Sequence, residues 1–154
     1  MSSFKDLFNI LINKNITISL AESCTGGKLC KVFTDNPGIS KIFNMGLVTY
    51  SNKSKIKILK IDPKIIKKYG AVSKEIAYSM SSNLKKISKS KICISTTGIA
   101  GPNGGSQLKP IGLVYIGITF KNKTIVFKKN FNGNRSVIQN KTIKFCINEI
   151  KKLI

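Results

Sequence analysis

Chemistry in this chain has to be done with few groups. The sequence contains no histidine, and its carboxylate side chains (Asp6, Glu22, Asp35, Asp62, Glu75 and Glu149) stand singly. Serine–histidine and cysteine–histidine catalysis are therefore excluded, and neither a paired-carboxylate hydrolase nor a multi-ligand metal centre is expected. Hydroxyl, thiol, amine and guanidinium groups remain. The stretch Glu22-Ser23-Cys24-Thr25-Gly26-Gly27 places a serine and a thiol where a strand turns into a helix. There the glycines allow close approach of a ligand, and the helix start offers N–H groups to an anion. Ligand-free turns of this kind are common, so the stretch alone defines no activity. If the chain is a hydrolase, lysine or tyrosine must supply the base. Arg135 is the only arginine, every other basic residue being lysine. A lone guanidinium suits bidentate capture of phosphate or carboxylate, with an ordinary surface arginine as the alternative.

The elements that must position these residues follow from periodicity and turn chemistry. Phe4, Leu7, Phe8 and Leu11 mark one face of a first helix, with Ser3 to Asp6 at its start. Ile16 to Leu20 reads as a buried strand, and Lys28 to Thr34 as a helix stopped by Asp35-Asn36-Pro37-Gly38. Ser40 falls on a short helical turn. Gly46 to Tyr50 reads as a second strand, after which Asn52 N-caps a helix through Lys60. Asp62-Pro63 starts another helix closed by Gly70, and Ser73 to Ile87 an amphipathic one. Ile92 to Thr96 is a strand entering a second glycine-rich loop, Gly98 to Ser106. Ile111 to Phe120 and Thr124 to Phe131 form a hairpin through Lys121-Asn122-Lys123, and a last helix runs from Arg135 to about Lys152. The reading is one α/β domain over residues 1–154, with helices covering both faces of a mixed, partly antiparallel sheet. Both glycine-rich loops follow strands, where open α/β sheets bind ligands, yet neither matches a P-loop or a GxGxxG fingerprint.

Composition bounds the remaining choices. A chain of 154 residues builds one real core. No run of 18 apolar residues and no signal-peptide pattern is present, so a cytoplasmic protein without membrane contact is expected. The four cysteines, Cys24, Cys30, Cys93 and Cys146, form no CxxC pair and read as reduced core thiols. The formal net charge is +21, but the lysines are spread along the whole chain amid abundant isoleucine and asparagine. That is the mark of AT-rich codons, so salt-sensitive sticking to polyanions is expected and a specific nucleic-acid partner is not. No cofactor or metal is expected, and a symmetric homodimer is compatible with the sequence.

Several blocks resemble one known family. They are Ala21 to Gly27, Val48-Thr49-Tyr50-Ser51-Asn52 with Lys55, Gly70-Ala71-Val72-Ser73, and Thr97 to Ser106 with Lys109-Pro110-Ile111-Gly112. In this order and over nearly the whole chain they resemble the CinA C-terminal domain family, which contains nicotinamide-nucleotide amidohydrolases. The resemblance implies a three-layer α/β/α sandwich of the stand-alone form. It also implies deamidation of nicotinamide mononucleotide to nicotinate mononucleotide and ammonia, in pyridine nucleotide recycling. It places the nucleophile at Ser23 and a Tyr–Lys pair at Tyr50 and Lys55. Thr25, Gly26, Gly27, Ser40, Thr97 and Gly98 fall in the pocket, and Arg135 on the phosphate. Met45, Asn134 and Gln139 depart from the usual glycine, aspartate and arginine of the family.

The chemistry these residues allow is acyl transfer. Ser23 would attack the carboxamide, ammonia would leave, and water would release the acid. An unprotonated Lys55 is the available base, directly or relayed through Tyr50. Its place in the first turn of a helix, between Lys53 and Lys57, and its burial would all lower its pKa. Backbone N–H groups at Cys24–Thr25 or near Gly98 would hold the oxyanion. Ser40 and Cys24 remain rival nucleophiles; on an extended chain only one of Ser23 and Cys24 faces the pocket. The contrasting readings are a family member that has lost activity and a basic polyanion-binding protein.

Overall fold

The computed structural model describes residues 2–154. Its centre is β1 (Ile18–Glu22), buried at every residue and flanked by parallel strands β2 (Phe43–Val48) and β3 (Ile92–Gly98). The stretch Ile18-Ser19-Leu20 alternates apolar and polar residues, yet both faces are buried, Ser19 with its hydroxyl 2.7 Å from Ser90 Oγ. Strand β4 (Leu113–Phe120) pairs antiparallel with β3, and β5 (Lys123–Asn130) antiparallel with β4, giving the order β2-β1-β3-β4-β5. Lys121 and Asn122 both have positive φ, 48° and 63°, the two-residue turn whose twist matches a hairpin.

Two apolar layers sandwich this sheet. Helices α1 (Ser2–Asn13), α2 (Lys28–Thr34) and α6 (Arg135–Leu153) cover one face, packing Leu11, Phe33 and Ile147 against Ile18, Leu20 and Ile94. Helices α3 (Asn52–Leu59), α4 (Pro63–Tyr69) and α5 (Lys74–Ser88) cover the other, with Leu59, Ile66, Ile76 and Met80 against Ala21 and Cys93. Helix α5 lies so close to the sheet that a Cβ built on Gly117 would come within 2.4 Å of the Ala77 carbonyl. The three-layer α/β/α sandwich with a mixed sheet is thus the observed fold. Among the described residues no helix is long and apolar enough to cross a membrane.

Several boundaries differ from the sequence reading. Strand β1 starts at Ile18 and runs on to Glu22, because its parallel partners on both sides continue that far. Strand β2 starts at Phe43 and ends before Thr49. The N-cap of α3 is Ser51, whose Oγ accepts the Ser54 N–H, and Asn52 is already helical. Asp62, Ser73 and Asn134 cap α4, α5 and α6 through side-chain oxygens.

Candidate active site

The carboxyl ends of β1 and β3 and the segment after β2 open onto a cavity of about 190 Å³, whose lining includes Ser23, Cys24, Tyr50, Lys55, Thr97 and Arg135. Ser23 leaves β1 with its N–H on the Thr96 carbonyl and is nearly buried. Lys55 comes from the first turn of α3 and is 1% exposed, the largest buried polar side chain of its layer. Its Nζ lies 3.0 Å from Ser23 Oγ, 2.8 Å from the Thr49 carbonyl and 3.3 Å from the Tyr50 carbonyl.

That geometry has a direct consequence for protonation. A neutral amine has two N–H groups, and two carbonyls stand ready to accept them. In that form the remaining lone pair faces Ser23 Oγ and can take its proton; as the ammonium, Lys55 instead donates its third N–H to Ser23 Oγ. No carboxylate contacts Lys55 to favour the ammonium. Burial lowers its pKa from 10.5 to about 8, with the Cys24 thiol acting in the opposite direction. Desolvation, rather than the exposed Lys53 and Lys57, is the main cause. At pH 7 about a tenth of the molecules then carry the free amine, against fewer than one in a thousand for an ordinary lysine.

Tyr50 plays a different part from the expected relay. Lys55 reaches Ser23 directly, and Tyr50 offers it only a main-chain carbonyl. The Tyr50 phenol is half-exposed at the rim, where it accepts a hydrogen bond of 3.0 Å from Arg135 Nη2. Arg135 Nη1 donates to the Gly101 carbonyl at 2.9 Å. The only guanidinium is thereby held at the mouth of the cavity, with donors left for an anion. Thr97 Oγ1 donates to the Ala71 carbonyl at 2.7 Å and fixes the wall formed by Ala71 and Val72. Gly98 lines the cavity too and has no room for a Cβ, which would meet Leu113 and Val114 main chain.

Four predicted residues do not line the cavity. Ser40 is exposed on the 3-10 turn Ile39–Lys41, just before Phe43, and Phe43 pairs with Ile18 at the start of β1. Ser23 follows the other end of that strand, so Ser40 lies about 15 Å away across the sheet. Thr25 is fully buried with its hydroxyl on Thr96 Oγ1 at 2.7 Å. Gly26 and Gly27 shape the turn, with φ of 58° and 94°, rather than touch the cavity. Nor does the start of α2 offer an anion site: the buried Glu22 carboxylate already accepts the N–H groups of Gly27, Leu29 and Cys30 at 2.7–3.1 Å.

Ser23 and Cys24 both line the cavity, contrary to the rule for an extended chain, because the chain turns at Ser23. Burial pushes the Cys24 thiol up to about 12, so it stays protonated and a poor nucleophile. Sequence reasoning missed Glu22 and Gln139, whose Nε2 donates to the Cys24 carbonyl at 2.9 Å. A larger apolar cavity of about 310 Å³, between the β4–β5 hairpin and the end of α6, holds no nucleophile paired with a base.

Comparison with known proteins agrees with this architecture. The family model described as CinA C-terminal domain matches residues 2–154. A competence-damage inducible protein of Clostridium botulinum is 48% identical over 144 residues, covering 94% of this chain and 35% of its own length. A protein of the same name from Alkaliphilus oremlandii is 46% identical over 143 residues, again 35% of its length. The chain therefore spans about a third of the curated relatives it matches. Among solved structures, a CinA superfamily protein from Escherichia coli superposes with a TM-score of 0.91 at 26% identity, over 98% of this chain and 90% of that one. A competence/damage inducible protein from Agrobacterium tumefaciens does so with 0.91 at 29% identity, over 98% and 95%.

Proposed function

Because the chain belongs to the CinA C-terminal domain family, we propose that it hydrolyses the carboxamide of nicotinamide mononucleotide to nicotinate mononucleotide and ammonia. The observation that carries this reading is the contact of 3.0 Å between Lys55 Nζ and Ser23 Oγ, with two carbonyls to hold the neutral amine.

The steps balance with these groups alone. Lys55 Nζ takes the Ser23 hydroxyl proton as Oγ attacks the carboxamide carbon. From Ser23 to Lys31 every backbone N–H has an acceptor among the described residues, apart from those of Cys24 and Thr25. Of these two, the Cys24 amide, directly after the nucleophile on a residue that lines the cavity, is the donor for the tetrahedral oxyanion. The Lys55 ammonium then gives its proton to the leaving nitrogen, the C–N bond breaks, and ammonia departs from an ester on Ser23. Water attacks that ester while Lys55 takes its proton, and the proton returns to Ser23 Oγ as the acid leaves.

The substrate reading rests on shape and charge. About 190 Å³ accommodates the carboxamide-bearing ring and leaves the ribose phosphate at the open rim, where Arg135 stands. The test is ammonia release from nicotinamide mononucleotide by purified protein. The wild type should turn the substrate over and Ser23→Ala should fall to background while keeping its fold. Absence of ammonia from the wild type, or an active Ser23→Ala, would remove this reading.

A further inference from the structure

Two buried polar side chains frame the nucleophile turn without touching the cavity. Glu22 is fully buried, yet its carboxylate contacts no cation; it accepts the backbone N–H groups of Gly27, just before α2, and of Leu29 and Cys30 within it. Burying such a group is costly unless hydrogen bonds replace its hydration, and three of them do so. They tie the residue immediately before Ser23 to the helix immediately after Gly27, closing the turn between them like a clasp. Gln139, 7% exposed on α6, holds the Cys24 carbonyl from the other side. That carbonyl is on Cys24 itself, so the bond fixes the backbone of the residue whose own N–H is free at the cavity.

We infer that Glu22 and Gln139 are positioning residues for the oxyanion donor: Glu22 takes the amides of Gly27, Leu29 and Cys30 and Gln139 takes the Cys24 carbonyl, which fixes the turn and leaves the Cys24 amide free at the cavity. This rests on the amide-hydrolysis reading above. Neither residue touches substrate, so their effect belongs on the rate of the acyl-transfer step and not on binding. Nor does either contact Lys55, so the pH dependence set by that amine belongs unchanged in both variants.

Glu22→Gln keeps the shape but points an NH₂ at one of the α2 amides, and Gln139→Leu removes the donor to Cys24. For nicotinamide mononucleotide, kcat should fall about 10- to 100-fold in Glu22→Gln and by a smaller factor in Gln139→Leu, as expected for a displaced oxyanion donor. KM should stay within about threefold, and the rising limb near pH 8 should not move. Labelling of Ser23 by a fluorophosphonate probe builds the same oxyanion and should slow in parallel. Circular dichroism and melting curves establish that each variant is folded; if Glu22→Gln does not fold, Gln139→Leu decides alone. Folded variants with wild-type kcat and labelling rates, or a loss confined to KM, would overturn the inference. A wild type that is labelled at Ser23 but releases no ammonia would instead defeat the substrate reading, and the labelling rates would still decide this one.

Discussion

Lys55 concentrates the residue-scale argument, because in the proposed mechanism one buried amine with no carboxylate partner is the base. Its pKa near 8 predicts that kcat/KM rises with pH up to about 8 and then levels. Lys55→Arg keeps the charge but cannot deprotonate usefully, so it should be nearly as inactive as Lys55→Ala; an active arginine variant with an unchanged profile would show that only positive charge is needed. The same shift bears on stability. A folded-state pKa below the unfolded value of 10.5 means that the unfolded chain binds more protons between pH 8 and 10.5. Stability therefore rises with pH through that window, and the cost of burying the ammonium is fully present below it. Melting temperatures of wild type and Lys55→Met should accordingly move in the wild type's favour between pH 8 and 10; a difference that stays constant with pH would contradict the shift. Arg135→Lys keeps a cation but loses the fork, and should raise KM for the mononucleotide about tenfold more than for the dephosphorylated nucleoside. Equal effects on both substrates would take the phosphate away from Arg135. Sequence made Ser23 and Arg135 legible, the first by its turn and the second by its singularity. Lys55 stood out from the other lysines through its resemblance to a family pattern and its place behind Tyr50 and Asn52 in the first turn of a helix. Glu22 and Gln139 were not legible, since nothing local says that a glutamate before a turn looks inward or which carbonyl a helical glutamine meets.

At the scale of elements, the Asp62-Pro63 helix start, the hairpin and the amphipathic helices were readable because each is a local choice of residues, whereas the cap of α3 falls on Ser51 rather than Asn52 and the hairpin turn is Lys121-Asn122, with Lys123 already in β5. Ser40 shows where locality fails. Strand β2 runs parallel to β1, so the chain must travel back to the start of the sheet before entering it, and this journey carries Ser40 away from Ser23. The close seating of α5 is likewise a pairwise property. Ser95 Oγ donates to the Ala77 carbonyl at 2.6 Å beside Gly117, in space that any side chain there would fill. Gly117→Ala should cost about 1–3 kcal/mol, visible as a lowered melting temperature; an unchanged one would show that α5 shifts freely. Thr97→Val removes the hydroxyl that holds Ala71 and should weaken substrate binding by loosening that wall.

The whole molecule sets a single site against a strongly positive background. A charge of +21 with only two ion pairs among the described residues leads to the expectation of weak, salt-sensitive attraction to polyanions. The proposed chemistry is separable from that background, because its acyl-transfer step uses one hydroxyl and one amine. Rapid acid quench of the wild type with nicotinamide mononucleotide, followed by peptide mass spectrometry, measures this most directly. An ester of the nicotinate mononucleotide acyl group is expected on the peptide carrying Ser23, formed faster as pH rises toward 8 and absent from Ser23→Ala and Lys55→Arg. An acyl group on Cys24 or on Ser40, or turnover with Ser23 never modified, would contradict it.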